Sequence, residues 1–292
     1  MFNRFGRTTQ EIQGSNEFRL IGARTSGKTT YLAALVHWPN APENSPIEAV
    51  DPLDDETGRL IRYAQDILET GNQMAGSLLP LDPNEMPPSY SLSIRLQNRF
   101  GRGDKRLNIT CKDYPGELFE QLRGGNRPEL LEPYLDDCAI APGLLLMIDG
   151  TNHKEDRNYA QALTILQNEL SLRLTAQDRP LNRYRIAIAF SKAEQATVWL
   201  YRNDINQFLG KKFPQTQRTI TRWSRQWRCP IKYFFCSAFG MKGNPPKPNF
   251  RETQGGNGAK VGVINRPKFW RPFGLVSPIY WLHTGKEDRR LH

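Results

Sequence analysis

The sequence has few cysteines and histidines and no long hydrophobic run. Its four cysteines and four histidines show no CxxC or Cys/His spacing, which argues against a zinc site. The longest apolar run, residues 139–148, contains Pro142 and ends at Asp149, well short of the roughly 20 residues of a membrane helix. The N-terminal residues include no apolar stretch, so we expect no secretory signal. These absences favour a cytoplasmic protein with reduced thiols that is not integral to a membrane.

Acidic residues are scarce at the C-terminal end, where positive charge accumulates. The 292-residue chain carries a formal net charge of +10. Residues 211–292 hold 17 Lys and Arg against 3 Asp and Glu, whereas residues 1–210 hold 23 against 27. The basic region therefore favours contact with nucleic acid, anionic lipid or an acidic protein, and the sequence does not choose among the three.

Strands and helices alternate along the chain, which is typical of an α/β protein with a mostly parallel sheet. Apolar runs predict strands at 17–21, 90–97, 106–111, 143–148, 184–190 and 231–235. Helical spacing of apolar residues predicts helices at 28–38, 60–68, 158–174, 197–209, 216–227 and 275–282. A glycine-containing turn joins the second and third strands into a hairpin. We expect six strands, one of them an antiparallel hairpin strand, with helices on both faces.

Composition divides the chain into four parts. Residues 1–15 form an N-terminal extension, and residues 16–239 form the core, with a proline-rich insertion at about 38–89. Residues 240–268 form a basic Gly/Pro-rich insertion, and residues 269–292 supply a helix that completes the core, followed by a tail.

The sequence GARTSGKT at residues 22–29 matches the phosphate-binding pattern GxxxxGK[ST]. Glycines let backbone N–H groups surround an anion, and the following helix adds a favourable dipole. Lys28 is expected to reach the β- and γ-phosphates, and the Thr29 hydroxyl to bind Mg²⁺. We therefore predict that phosphates contact Gly22, Ala23, Arg24, Thr25, Ser26, Gly27, Lys28, Thr29 and Thr30.

The sequence DYPGE at residues 113–117 directly follows the third predicted strand. Asp113 at the end of a strand suits the coordination shell of Mg²⁺, and Gly116 can offer its N–H to a γ-phosphate. Glu117 either orders the attacking water or is only an acidic residue in a helix first turn. Arg24 either reaches the γ-phosphate or is a solvent-facing loop cation. Lys28, Asp113, Gly116 and Glu117 are the catalytic candidates.

The order of these motifs resembles that of the Ras-like, translation-factor-related P-loop GTPases. In that family an (N/T)KxD sequence reads the base, and this chain has SKAE after the strand at 184–190. The resemblance implies that Lys192 stacks on the purine and that Glu194 accepts hydrogen bonds from guanine. Ser191 stands where the family has Asn or Thr, while Ser237 and Ala238 would present backbone N–H groups to the base. GTP or GDP with Mg²⁺ is the implied ligand.

A narrower resemblance is to the bacterial double-GTPase group of conflict and defence loci. It depends on GKTTYLAAL at residues 27–35, on the DxxGE sequence and on SPIYWL at residues 277–282. It implies a protein partner, either a second GTPase subunit or an effector.

The sequence thus favours a Mg²⁺-dependent GTPase that hydrolyses GTP slowly and acts as a switch on a partner protein. One alternative is a catalytically weak nucleotide-binding scaffold in a heteromeric complex. Another is a nucleic-acid-associated ATPase, for which the basic C-terminal residues are the evidence. Thr70 and Ser77 are both candidates for a further Mg²⁺ ligand.

Overall fold

The computed structural model describes residues 10–291 except 13, 15, 38–44, 72–86, 98–104, 125–127 and 255–259. The strands are β1 (Gln10–Glu11), β2 (Glu17–Ile21), β3 (Ile47–Pro52), β4 (Ser89–Leu96), β5 (Lys105–Asp113), β6 (Gly143–Asp149), β7 (Arg185–Ser191), β8 (Ile231–Phe235), β9 (Met241–Lys242), β10 (Lys247–Pro248), β11 (Phe250–Gln254) and β12 (Lys260–Ile264). The α-helices are α1 (Lys28–His37), α2 (Asp55–Thr70), α3 (Gly116–Gln121), α4 (Pro128–Ile140), α5 (Asp156–Ala176), α6 (Ala196–Trp199), α7 (Ile205–Lys212), α8 (Pro214–Trp227) and α9 (Val276–Thr284).

The central sheet has the strand order β3-β4-β5-β2-β6-β7-β8, with β1 also paired to β5. Strands β5, β2, β6, β7 and β8 are parallel, whereas β3 and β4 make antiparallel pairs. Helices cover both faces, so the predicted α/β fold class with a mostly parallel sheet and an antiparallel hairpin is confirmed.

The sheet nevertheless contains eight strands among the described residues, not the six predicted. Strand β1 has only two residues, too few to show a pattern. Strand β3 reads IEAVDP and lies at the sheet edge, and its acidic residues and terminal proline hide any regular alternation.

The helical predictions also need two corrections. The helix expected at 197–209 is two helices, α6 and α7, because the Asp204 side chain starts a new helix by accepting a hydrogen bond from Gln207 N at 2.9 Å. Helix α4 was not predicted, since Pro133 lies within it and proline normally argues against a helix interior.

Two hydrophobic clusters lie on the two faces of the sheet. Helices α1, α2 and α9 pack on one face, where Leu35, Leu60 and Ile279 are buried. Helices α3, α4, α5, α7 and α8 pack on the other, where Leu163 and Trp223 are buried. The four cysteines are free and buried.

Helix α8 separates an apolar face from a basic face. Ile220, Trp223 and Trp227 are buried in the second cluster. Arg218, Arg222 and Arg225 are exposed.

Residues 240–268 contain two small antiparallel pairs, β9–β10 and β11–β12. Strand β12 packs beside α2. Part of this basic insertion is therefore folded against the core.

A buried ionic cluster joins α4 to the sheet at Asp137. Its carboxylate accepts hydrogen bonds from Arg19 Nε at 2.5 Å, Lys112 Nζ at 2.8 Å and the Tyr114 hydroxyl at 2.5 Å. Burial opposes ionisation of this carboxyl, but the three donors outweigh burial and lower its pKa. The Arg19 side chain is 3% exposed, so it depends on this partner.

We predict that Asp137→Ala lowers the free energy of unfolding by about 3–5 kcal/mol, because it leaves the buried Arg19 guanidinium without its main partner. Urea unfolding followed by circular dichroism measures the change. The matched control is Asp136→Ala on the same helix, whose exposed carboxylate pairs with Arg173; its effect should stay within about 1 kcal/mol. Equal effects of the two substitutions would contradict the prediction.

Candidate functional site

The carboxyl ends of the parallel strands meet at one edge of the sheet, and the sequence motifs gather there. The loop of residues 22–27 connects β2 to α1. Gly22 has a φ of 152°, and a Cβ atom at this position would lie 2.2 Å from the Met147 oxygen. Lys28 Nζ donates hydrogen bonds to the backbone oxygens of Gly22 at 2.9 Å and Ala23 at 3.3 Å. The loop therefore wraps around the Lys28 ammonium.

Asp113 ends β5 close to Lys28. Its Oδ1 atom is buried and has no hydrogen-bond partner among the described residues. Burial raises the pKa of Asp113 to about 6, against the attraction of Lys28, and burial also lowers the pKa of Lys28. An unpartnered carboxylate oxygen suits a cation or its hydration water. The donor set of Thr29 and Asp113 therefore fits Mg²⁺ held together with phosphate oxygens.

Helix α3 packs directly on the loop. Gly116 opens this helix, and a Cβ atom there would lie 2.4 Å from Arg24 N. Glu117 Oε1 pairs with Arg24 Nε at 3.1 Å, and Glu120 Oε1 accepts a hydrogen bond from Arg24 N at 3.0 Å. Arg24 is thus tied to α3, although its side chain is 61% exposed.

The SKAE sequence follows β7 at the same edge. Lys192 has a φ of 57°, and its Nζ pairs with Asp149 Oδ2 at 2.5 Å. Ser191 Oγ donates to the Ile148 oxygen at 3.3 Å. The loops after β7 and β8 are joined by a hydrogen bond from Ala193 N to the Cys236 oxygen at 3.1 Å.

Glu194 is a buried carboxylate with an incomplete set of partners. The residue is 2% exposed, and its Oε2 atom has no hydrogen-bond partner in the described part of the chain. Burial raises its pKa, while hydrogen bonding from the Ser237 hydroxyl and the nearby charge of Lys192 partly offset that effect. Leaving a buried carboxylate oxygen unpaired is costly, so a ligand with N–H donors would complete the site.

Most of the predicted residues line a single cavity of about 420 Å³. These are Arg24, Thr25, Gly27, Lys28, Thr29, Thr30, Asp113, Gly116, Glu117, Ser191, Lys192, Glu194 and Ala238. Four others do not line it: Gly22, Ala23, Ser26 and Ser237. Of these, Ser26 and Ser237 are fully buried, and the Ser237 hydroxyl donates a hydrogen bond to Glu194.

Several cavity or supporting residues were not predicted. Asp149 holds Lys192, and its position at the end of an apolar strand is the same signal that identified Asp113. Phe239 and residues of the β11–β12 hairpin also line the cavity, but no sequence pattern indicated this. The Thr70 hydroxyl donates to the Asp66 oxygen at 2.6 Å and does not line the cavity. Ser77 lies outside the described residues.

No group of three or more His, Cys, Asp and Glu side chains within the described ranges is arranged to hold a metal ion. None of the helices that the structure describes has the length and apolar character needed to span a bilayer.

No protein-family model and no curated protein matches the chain. Among solved structures, the chain is similar to one from the signal recognition particle receptor SRb-GTP/SRX complex of Chaetomium thermophilum, with a TM-score of 0.41, 15% identity and coverage of 80% of this chain and 94% of that chain. It is similar to an ADP-ribosylation factor-like GTP-binding protein, the small COPII coat GTPase SAR1 of Encephalitozoon cuniculi in complex with GDP. The TM-score is 0.32, the identity is 10%, and the match covers 78% of this chain and 71% of that chain. It is also similar to Sup35 complexed with GMPPNP, with a TM-score of 0.34, 11% identity and coverage of 80% of this chain and 38% of that chain.

We predict that Glu194→Gln raises the free energy of unfolding of the ligand-free protein near pH 7, because a buried amide costs less than a buried carboxylate. The raised pKa means that the folded state holds the Glu194 proton more tightly than the unfolded state. The protonated Glu194 side chain therefore contributes its full stabilisation below the pKa that it has in the unfolded chain. This stabilisation is lost as the pH rises through the pKa of Glu194 in the folded protein. The variant should lack this loss.

Chemical unfolding of the ligand-free protein between pH 4.5 and pH 8 measures both effects. Glu132→Gln, with a carboxylate that is 63% exposed, is the matched control and should leave the profile unchanged. An identical pH profile for Glu194→Gln and the unaltered chain would disprove the prediction.

Proposed function

We propose that the chain is a Mg²⁺-dependent GTP-binding protein that hydrolyses GTP slowly and acts as a switch on a partner protein. The observation that carries the proposal is the buried, half-paired Glu194 in the same cavity as the Lys28 loop. A carboxylate accepts hydrogen bonds and cannot donate them. Guanine offers two neighbouring donors, N1–H and the N2 amino group. Adenine offers one donor beside an acceptor, which would face the carboxylate unfavourably.

The phosphate end supports phosphoryl-transfer chemistry through charge and positioning. Bound Mg²⁺ would neutralise phosphate charge as the terminal phosphoryl group is transferred. In this chain Thr29 and Asp113 would hold the ion, and the Lys28 ammonium would balance charge on the β- and γ-phosphates. Gly116 would offer its N–H to a terminal phosphate, and its close approach to the backbone of Arg24 in the loop supports this role.

Slow hydrolysis follows from the charge of Glu117. This carboxylate would repel an incoming γ-phosphate, and it already pairs with Arg24. Arg24 can stabilise a developing negative charge only after it leaves Glu117. Both features favour low intrinsic turnover, below about 1 s⁻¹, with acceleration supplied by a partner.

The Arg24–Glu117 pair also favours a second candidate, a nucleotide-binding scaffold with negligible turnover in a heteromeric complex. The partner remains a proposal in either case, whether it is a second GTPase subunit, as in the double-GTPase group, or an effector. We propose a cytoplasmic protein. The exposed arginines of α8 support an anionic partner surface, whereas the charge of Glu194 disfavours the nucleic-acid-associated ATPase.

The first test is turnover. Lys28→Ala and Asp113→Ala should each lower Mg²⁺-dependent phosphate release from GTP by about 100-fold, since each removes charge that the transition state needs. Arg123→Ala, at an exposed position after α3, is the control and should match the unaltered chain. If both site variants release phosphate at the same rate as the unaltered chain, and the unaltered chain still binds nucleotide, the scaffold function is favoured.

The second test is base specificity. Glu194→Gln should weaken GTP binding by about tenfold or more, because a charge-assisted hydrogen-bond pair is lost. Xanthosine triphosphate carries a carbonyl where guanine has its amino group, so it should bind the variant better than the unaltered chain. Isothermal titration calorimetry measures the affinities of both proteins for GTP and for xanthosine triphosphate, and thus the change in preference between the two nucleotides. An equal loss for both would count against a direct contact of Glu194 with the base.

A further inference from the structure

The β11–β12 hairpin has two faces with different neighbours. Cross-strand partners share a face, so Phe250 and Ile264 lie on the same side as Glu252 and Gly262. The pairs Arg251–Val263 and Thr253–Val261 lie on the other side.

The second face contacts the end of α2. A Cβ atom on Gly71, the residue that ends this helix, would lie 2.3 Å from Val261 Cγ2 and 3.2 Å from Val263 Cγ1. Val263 is completely buried, and Ile264 is 5% exposed within the core of the first cluster. The hairpin is therefore packed on the core through its second strand.

The first face contacts Phe239. This residue directly follows Ala238, the candidate base-binding residue in the loop after β8. A Cβ atom on Gly262 would lie 3.1 Å from Phe239 Cε2, so the ring packs closely against this glycine. The Phe239 and Phe250 rings are stacked, with centroids 6.2 Å apart and planes at 29°. The hairpin thus fixes an aromatic pair directly beside the loop that follows β8.

The same residues line the cavity that holds Lys28 and Glu194. The hairpin and its contact contribute Phe239, Phe250, Glu252, Val261 and Gly262 to that lining. Lys28 marks the phosphate end of the cavity, and Glu194 and Ala238 mark the nucleoside end. Because Phe239 directly follows Ala238, the aromatic pair belongs to the nucleoside end.

We infer that the β11–β12 hairpin is part of the nucleotide site and that the Phe250 ring, supported by Phe239, covers the nucleoside of a bound purine nucleotide and slows its release. This inference rests on the proposed function. Contact between an aromatic ring and a base strengthens binding without reading the base. Changes within one binding site act mostly on the dissociation rate, so the hairpin controls retention and Glu194 controls specificity.

The experiment measures release of tritiated GDP in Mg²⁺ after addition of excess unlabelled GDP. Phe250→Ala should release GDP about 5- to 100-fold faster than the unaltered chain. Phe250→Tyr keeps the ring and should restore slow release. The matched control is Arg251→Ala, the exposed neighbour on the other face of the same strand, and it should release GDP at the unaltered rate.

A second measurement separates loss of the ring contact from collapse of the cavity. Inorganic tripolyphosphate with Mg²⁺ can occupy only the phosphate end, so its affinity should be the same in Phe250→Ala and the unaltered chain. Unchanged GDP release in Phe250→Ala overturns the inference while leaving the proposed function intact, and so does a parallel loss of tripolyphosphate binding. Failure of the unaltered chain to bind GDP at all overturns the proposed function, and this inference with it.

Discussion

The parallel pairing of β2 with β5 on one side and β6 on the other is the constraint on which the site depends. It places Leu20 opposite both Asp113 and Leu145, so the Lys28 loop starts at the same level as the end of β5. Adding β7 and β8 in parallel brings the loops after Ser191 and Phe235 to the same edge. Residues far apart in sequence therefore meet because strand direction, and not local sequence, sets where each loop emerges.

Local sequence was sufficient for the elements whose signal is local. The apolar run of β6 and the glycines around Lys28 each specify their own conformation, and most of the predicted residues in the Lys28 loop line one cavity. Strand β3 and helix α4 were missed because tertiary contacts override the prolines and charges in their sequences. The aromatic pair of Phe239 and Phe250 was missed for a different reason. Phe239 lies against Gly262, the cross-strand partner of Glu252, and a glycine has no side chain to reveal a packing role.

The cavity contains buried carboxylates whose hydrogen bonding is incomplete among the described residues, which costs electrostatic free energy. Asp113 and Glu194 are carboxylates with raised pKa values and unpartnered oxygens, whereas Asp137 has three donors and a lowered pKa. The same residue chemistry thus stabilises the fold at Asp137 and is left incomplete in the cavity. This contrast distinguishes a structural ionic cluster from a candidate binding site more sharply than motif matching does.

The hydrogen bonds of Lys28 to its own loop have a consequence for ligand entry. The Gly22 and Ala23 oxygens take two of the three N–H donors of its ammonium. Under the proposed function, a phosphate oxygen can accept the third donor directly, whereas each further hydrogen bond from Lys28 replaces one that holds the loop. The association rate should therefore depend on loop rearrangement as well as on diffusion.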